Sequence, residues 1–221
     1  MKETIKALIL LISFAFAQDI DCVGNSIVAN GYPEVANFWM IQDGYEWRMY
    51  NYGVPGITVS IPGFDYISTP QYQEVMSRKS EHIVVMLGAN DRDIVSHNGT
   101  YDFDQDYRSL IKNFMSASKK VFLGTITYQI YSGENSVTDD INVVIRQVAQ
   151  DYGLAIIDFN SVLGNDPANF MADGIHPTTE GKYKLAKLAF DTLKVYPILE
   201  LGIDDEYYDN QKPSLFNGCS K

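Results

Sequence analysis

The sequence predicts an α/β fold, a three-layer α/β/α sandwich built on a five-stranded parallel sheet. Three observations carry that expectation. Short runs such as His82 to Leu87 are apolar at successive rather than alternating positions, the pattern of strands covered on both faces. The segments between them place apolar residues at i, i+3 and i+4, as helices packed on a sheet do. Strand and helix signals alternate, which implies crossover connections and therefore parallel strands.

Taken in order, Ile20 to Val23 reads as a buried strand closed by Gly24. Pro33 suits a first helical turn, and Val35, Phe38 and Trp39 then fall near one face. Trp47 to Tyr52 is the second strand, followed by a Gly/Pro-rich loop through Gly63 and a short helix from Pro70 to Lys79. His82 to Leu87 is the third strand. Tyr107, Leu110, Ile111 and Phe114 mark the next helix, and Val121 to Ile126 the fourth strand. Ile141, Val144, Ile145 and Val148 mark another helix, and Leu154 to Phe159 the fifth strand. Pro177 to Leu193 is the last helix, with Leu185, Leu188 and Ala189 inward.

The chain has 221 residues, 46% hydrophobic and 20% charged, enough for one domain with a full core. Its formal net charge of −11 argues against nucleic acid, whose phosphates need a basic face, and disfavours adhesion to anionic membranes. Residues 1–17 read as a signal peptide: Lys2 and Lys6, then an apolar Ala7 to Phe16, then Ala15-Phe16-Ala17. That apolar stretch is short for a bilayer span, so cleavage after Ala17 and no stable membrane insertion are expected, a retained N-terminal anchor being the alternative. The expected organisation is a domain over 18–197 in a secreted or lumenal protein, with an acidic tail over 198–221 packed on it. In such a compartment Cys22 and Cys219 either form a disulfide or leave Cys22 as a buried thiol. Asn98-Gly99-Thr100 is a glycosylation sequon where the source is a eukaryote.

Reactive loops of a parallel sheet lie beyond the carboxyl ends of its strands. Ser26, Gly56 and Asn90 each follow an expected strand end. Of three histidines, His82 begins a buried strand, His97 lies in a loop, and His176 follows Asp173 by three residues. An Asp at that spacing can bond Nδ1–H and leave Nε2 free as a base, although an Asp-Gly turn capping a helix has the same sequence. A serine hydroxyl needs such a base to become nucleophilic. Ser26, in the tight Gly24-Asn25-Ser26 turn, is the candidate, its alternative role being a simple helix cap. Gly56 N–H, Asn90 NH₂ and Ser26 N–H are candidate oxyanion donors, the alternative roles of Gly56 and Asn90 being a Pro-Gly turn glycine and a loop cap. Asp91 and Asp158 are read as structural. Few histidines and no Cys/His cluster mean that neither metal nor organic cofactor is expected.

Gly24-Asn25-Ser26, Gly53-Val54-Pro55-Gly56, Gly88-Ala89-Asn90-Asp91 and Asp173-Gly174-Ile175-His176, in this order, resemble the SGNH (GDSL-type) hydrolase family, from Gln18 to about Val195, which implies a flavodoxin-like fold. The resemblance implies that Ser26 is nucleophile and oxyanion donor, that Gly56 and Asn90 complete the oxyanion hole, and that Asp173 and His176 are the acid–base pair. Asn25 departs from the family's usual Asp. Met86-Leu87-Gly88-Ala89-Asn90-Asp91 and Asp173-Gly174-Ile175-His176-Pro177 are similar to the sialate O-acetylesterase-like and carbohydrate esterase branch. The implied activity is hydrolysis of small acyl esters, acetyl foremost, on a carbohydrate through an acyl-serine. Tyr128 and Tyr131, after the fourth strand, are candidates to line the pocket against a sugar ring. A lysophospholipase or thioesterase of the same family, and a non-catalytic binding protein on the same fold, are the alternatives.

Overall fold

Five parallel strands run side by side in the order β2-β1-β3-β4-β5 in the computed structural model, which describes residues 19–92, 102–131 and 135–200. The strands are β1 (Asp19–Gly24), β2 (Arg48–Gly53), β3 (His82–Met86), β4 (Lys120–Gly124) and β5 (Ala155–Ile157). The expected signal peptide, His97, the sequon and Cys219 lie outside the described residues. Cys22 is a fully buried free thiol, and burial raises its pKa.

Strand side chains alternate faces, and here both faces are apolar. Ile83 and Val85 enter one core beneath α3 (Pro70–Ser77), α4 (Phe103–Ser116) and α5 (Asn135–Tyr152). Val84 and Met86 enter the other, beneath α1 (Ser26–Ala29), α2 (Tyr32–Gln42), α6 (Phe159–Leu163) and α7 (Thr179–Glu200). This is the expected α/β/α sandwich.

The differences from expectation are local. Phe38 is 58% exposed, and α2 instead buries Tyr32, Pro33, Ala36 and Met40. β4 stops at Gly124 because both backbone groups of Ile126 are taken by the Asn142 side chain of α5, at 2.8 and 2.9 Å. β5 stops at Ile157 because Asp158 caps α6, which Phe159 begins. α7 begins at Thr179, with the Thr178 hydroxyl accepting from Gly181 N–H, while Pro177 bridges back to Phe170. α7 also runs to Glu200, past the expected start of the tail, and residues 201–221 lie outside the described residues.

The amino-terminal edge of the sheet is clamped by charge. Asp21 and Lys119 are both buried; Lys119 Nζ bonds Asp21 Oδ2 at 3.3 Å, Ser80 O at 3.0 Å and Ser80 Oγ at 2.7 Å. Arg78 Nε reaches Asp21 Oδ1 at 3.0 Å from the other side. The network joins β1 to the approaches of β3 and β4, so it fixes how the strands enter the sheet. Breaking a buried pair from one side leaves an uncompensated charge. Lys119→Met is therefore expected to lose about 3 kcal/mol of stability in urea unfolding; an unchanged midpoint would show that the clamp contributes nothing.

Candidate active site

The 2-1-3-4-5 strand order reverses between β1 and β3, and ligands of such sheets bind in the crevice at that switch point. Gly24 at the end of β1 is in register with Gly53 of β2 and Met86 of β3. The loops carrying Ser26, Gly56 and Asn90 therefore leave three adjacent strands at one level.

After Gly24 the chain turns at once into α1. Asn25 is its N-cap, its Oδ1 accepting from Ile27 N–H at 2.9 Å. The cap is thus Asn25 and not Ser26. The residue that differs from the family's usual Asp supplies the acceptor the turn needs, and Ser26 is left in the first helical position with its hydroxyl free to face the crevice.

His176 Nε2 lies 2.9 Å from Ser26 Oγ, and His176 Nδ1 lies 2.8 Å from Asp173 Oδ2. An ionised carboxylate can only accept, so Nδ1 is the donor there and Nε2 is left to accept from the serine hydroxyl. Asp173 Oδ1 also accepts from the backbone N–H of Ile175 and His176, at 2.9 and 3.0 Å. Partial burial opposes its ionisation, but the bonds from the His176 ring and from these two backbone groups outweigh that and hold the carboxyl at about 2. The turn is a hairpin: Phe170 bridges Pro177, and Met171 N–H donates to His176 O at 2.8 Å. Gly174, inside it, has φ +69°, which favours glycine, and a Cβ there would come within 2.3 Å of the Tyr131 ring.

Gly56 follows Pro55 in a turn closed by Ile57 N–H to Val54 O at 3.3 Å. Its φ of +76° favours glycine, and the space a Cβ would enter is open. Asn90 Nδ2 donates to Ile57 O at 2.7 Å, which joins the Gly56 loop to the Asn90 loop and orients the amide. Asp91, fully buried, accepts from Val59 N–H at 2.9 Å and from Ser60 N–H at 3.1 Å. It braces the loop that carries Gly56, as its structural reading expected, and desolvation pushes its carboxyl up to about 6. Asp158 is tied up with Arg146 at 2.8 Å and Thr125 at 3.0 Å, away from the relay. His82 is buried at the start of β3.

Two supports were not singled out in the sequence. Asn142 pins the loop after β4 at Ile126, and Ile130 N–H of that loop donates to Gly174 O at 3.0 Å, so the loop holds the histidine turn. A lone Asn beside Ile141 in an apolar helical stripe was the only available signal. Among the described residues no three His, Cys, Asp or Glu side chains gather as metal ligands, and no helix is long and apolar enough to cross a membrane.

A hydroxyl, an imidazole and a carboxylate in line, at the carboxyl edge of a parallel sheet, is the arrangement that acyl-transfer chemistry uses. The chain belongs to the GDSL-like lipase/acylhydrolase family, whose pattern it matches over residues 22–184. It is 27% identical to an acetylxylan esterase of Xylanibacter ruminicola, over 79% of this chain and 43% of that protein. It is also 27% identical to a multidomain esterase of Ruminococcus flavefaciens, over 64% of this chain and 18% of that protein. The chain thus spans under half the length of these curated relatives. Among solved structures, the acetylxylan esterase Axe2 of Geobacillus stearothermophilus superposes with a TM-score of 0.66 at 19% identity, over 80% of this chain and 94% of that one. TesA superposes with a TM-score of 0.67 at 23% identity, over 80% and 98%. At these identities the superpositions establish the shared fold.

The brace at Asp91 has a pH signature. Its folded pKa, about 6, lies above the unfolded value of 3.8, so the folded state takes up the proton first as pH falls. Lowering the pH from 7 to 4 is therefore expected to stabilise the wild type relative to Asp91→Asn, by at most about 3 kcal/mol. Denaturant titrations of both proteins at the two pH values check this; a constant difference would contradict it.

Proposed function

We propose that the protein is a serine esterase that removes acetyl groups from a carbohydrate. The observation that carries the catalytic part is the 2.9 Å contact between Ser26 Oγ and His176 Nε2, with Asp173 behind the imidazole. In the proposed reaction His176 takes the Ser26 proton as Oγ attacks the acetyl carbonyl, and Asp173 stabilises the imidazolium. The N–H groups of Ser26 and Gly56 and the amide of Asn90 hold the oxyanion that forms. Collapse expels the sugar alkoxide, which takes its proton from His176. Water, deprotonated by the same imidazole, then releases acetate and restores the serine. Every step is proton transfer or acyl transfer, so the chemistry asks for no metal or organic cofactor.

The sugar acetate rests on the curated relatives, one of them an acetylxylan esterase. The basic and then apolar start of the chain supports a secreted protein whose mature part begins near residue 18. The alternative ester classes, lysophospholipid and thioester, have no comparable support, and a non-catalytic role leaves the aligned relay without a purpose.

Ser26→Ala and His176→Ala are each expected to lower kcat on acetylated xylan by about 10⁴–10⁶. Circular dichroism and Tm should stay near wild type, because neither side chain belongs to the core. Near-normal acetate release by either variant would refute the assignment. Faster turnover of palmitoyl than of acetyl esters would move the substrate to lipid.

A further inference from the structure

The loop after β4 brings Tyr131 against the histidine turn. Its ring edge lies so close to Gly174 that a Cβ there would come within 2.3 Å of Cδ2 and 3.0 Å of Cε2. The adjoining bond from Ile130 N–H to Gly174 O, at 3.0 Å, fastens the same loop to the same turn. Tyr131 is nonetheless 64% exposed. At that exposure the ring contributes little to the core. Tyr128 differs: its hydroxyl donates to Asp139 Oδ1 of α5 at 2.8 Å, and it is partly buried. The two tyrosines grouped in the sequence therefore have different roles, and only Tyr131 presents an open ring beside the site.

The side of the site on which it stands matters. In the proposed reaction the acyl carbonyl faces the oxyanion donors of the β1, β2 and β3 loops. The leaving oxygen takes its proton from His176, so the alcohol half of the ester has to lie by the imidazole. Tyr131 sits on the turn that carries that imidazole. A pyranose ring offers an apolar C–H face, and an exposed aromatic is the side chain that binds such a face while its hydroxyl meets water.

We infer that Tyr131 is the platform for the sugar ring that carries the ester, a binding residue on the leaving-group side of the site. The inference rests on the esterase reading above and adds the residue that recognises the alcohol. Its fixed position on Gly174 means the platform is held in place before substrate arrives, which lowers the ordering cost of binding.

The test compares an acetylated xylo-oligosaccharide with vinyl acetate, whose leaving group has no ring, using wild type, Tyr131→Ala and Tyr131→Phe. Tyr131→Ala is expected to raise KM for the sugar ester about tenfold, the size of one aromatic contact, with little change in kcat. Its kcat/KM on vinyl acetate should stay within about twofold, and Tyr131→Phe should resemble wild type on both substrates. Equal losses on the two esters would mean that Tyr131 only steadies the histidine turn, and would overturn the inference, as would no change on either. A wild type that cleaves vinyl acetate but no sugar acetate would instead remove the carbohydrate reading, and the platform with it.

Discussion

Ser26 and His176 stand 150 positions apart in the chain and 2.9 Å apart in the fold, and neither residue holds its place alone. The serine depends on β1 lying between β2 and β3, and on Asn25 turning the chain directly into α1. The histidine depends on a hairpin closed at Phe170 and Pro177, on three bonds to Asp173, and on a loop from β4 pressed against Gly174. A shift of about 1 Å in either support would move the hydroxyl out of proton-transfer reach, and misplacement on that scale is costly in catalysis. Much of the molecule can be understood as the means of keeping that distance.

The two ends of the sheet divide the work. At the amino-terminal edge, Asp21, Lys119, Arg78 and Ser80 bond one another in a charged network that ties the strands together. At the carboxyl edge the polar groups are arranged differently. Asp173 is nearly half exposed, His176 about a third, and the space beside Gly56 is open. Burial fixes the strands at one edge, and access to solvent leaves room for a substrate at the other. Asp91 connects the two demands: it is buried like the first group but spends its oxygens on backbone N–H groups of the loop that carries Gly56.

The sheet was legible because strands buried on both faces write continuous apolar runs, and the interleaved helices write a 3.6-residue period. The expected strand ends before Ser26, Gly56 and Asn90 then placed three loops at one rim, while the Asp173–His176 spacing carried only the acid–base pair. Strand ends were harder to read where a side chain replaced a neighbouring strand as the partner of the backbone. Asn142 does this at Ile126, and Asp158 converts the end of β5 into the start of α6. Phe38 was misplaced because three apolar residues in five fit more than one helical face; the buried stripe of α2 runs instead through Tyr32, Ala36 and Met40. The sequence offered Tyr128 and Tyr131 together as pocket residues but left no trace of the Tyr131 contact with Gly174, since it joins two loops that are distant in sequence. The fold was needed to separate the two tyrosines.

The proposed reaction requires that His176, and no other base, activate Ser26. A fluorophosphonate probe followed by peptide-resolved mass spectrometry tests it directly, because the probe reports which oxygen is nucleophilic. The adduct is expected on the peptide containing Ser26 in the wild type, and to be almost absent in His176→Ala, where the serine remains but its base does not. Equal labelling of Ser26 in the two proteins, or an adduct on a different serine, would contradict the account.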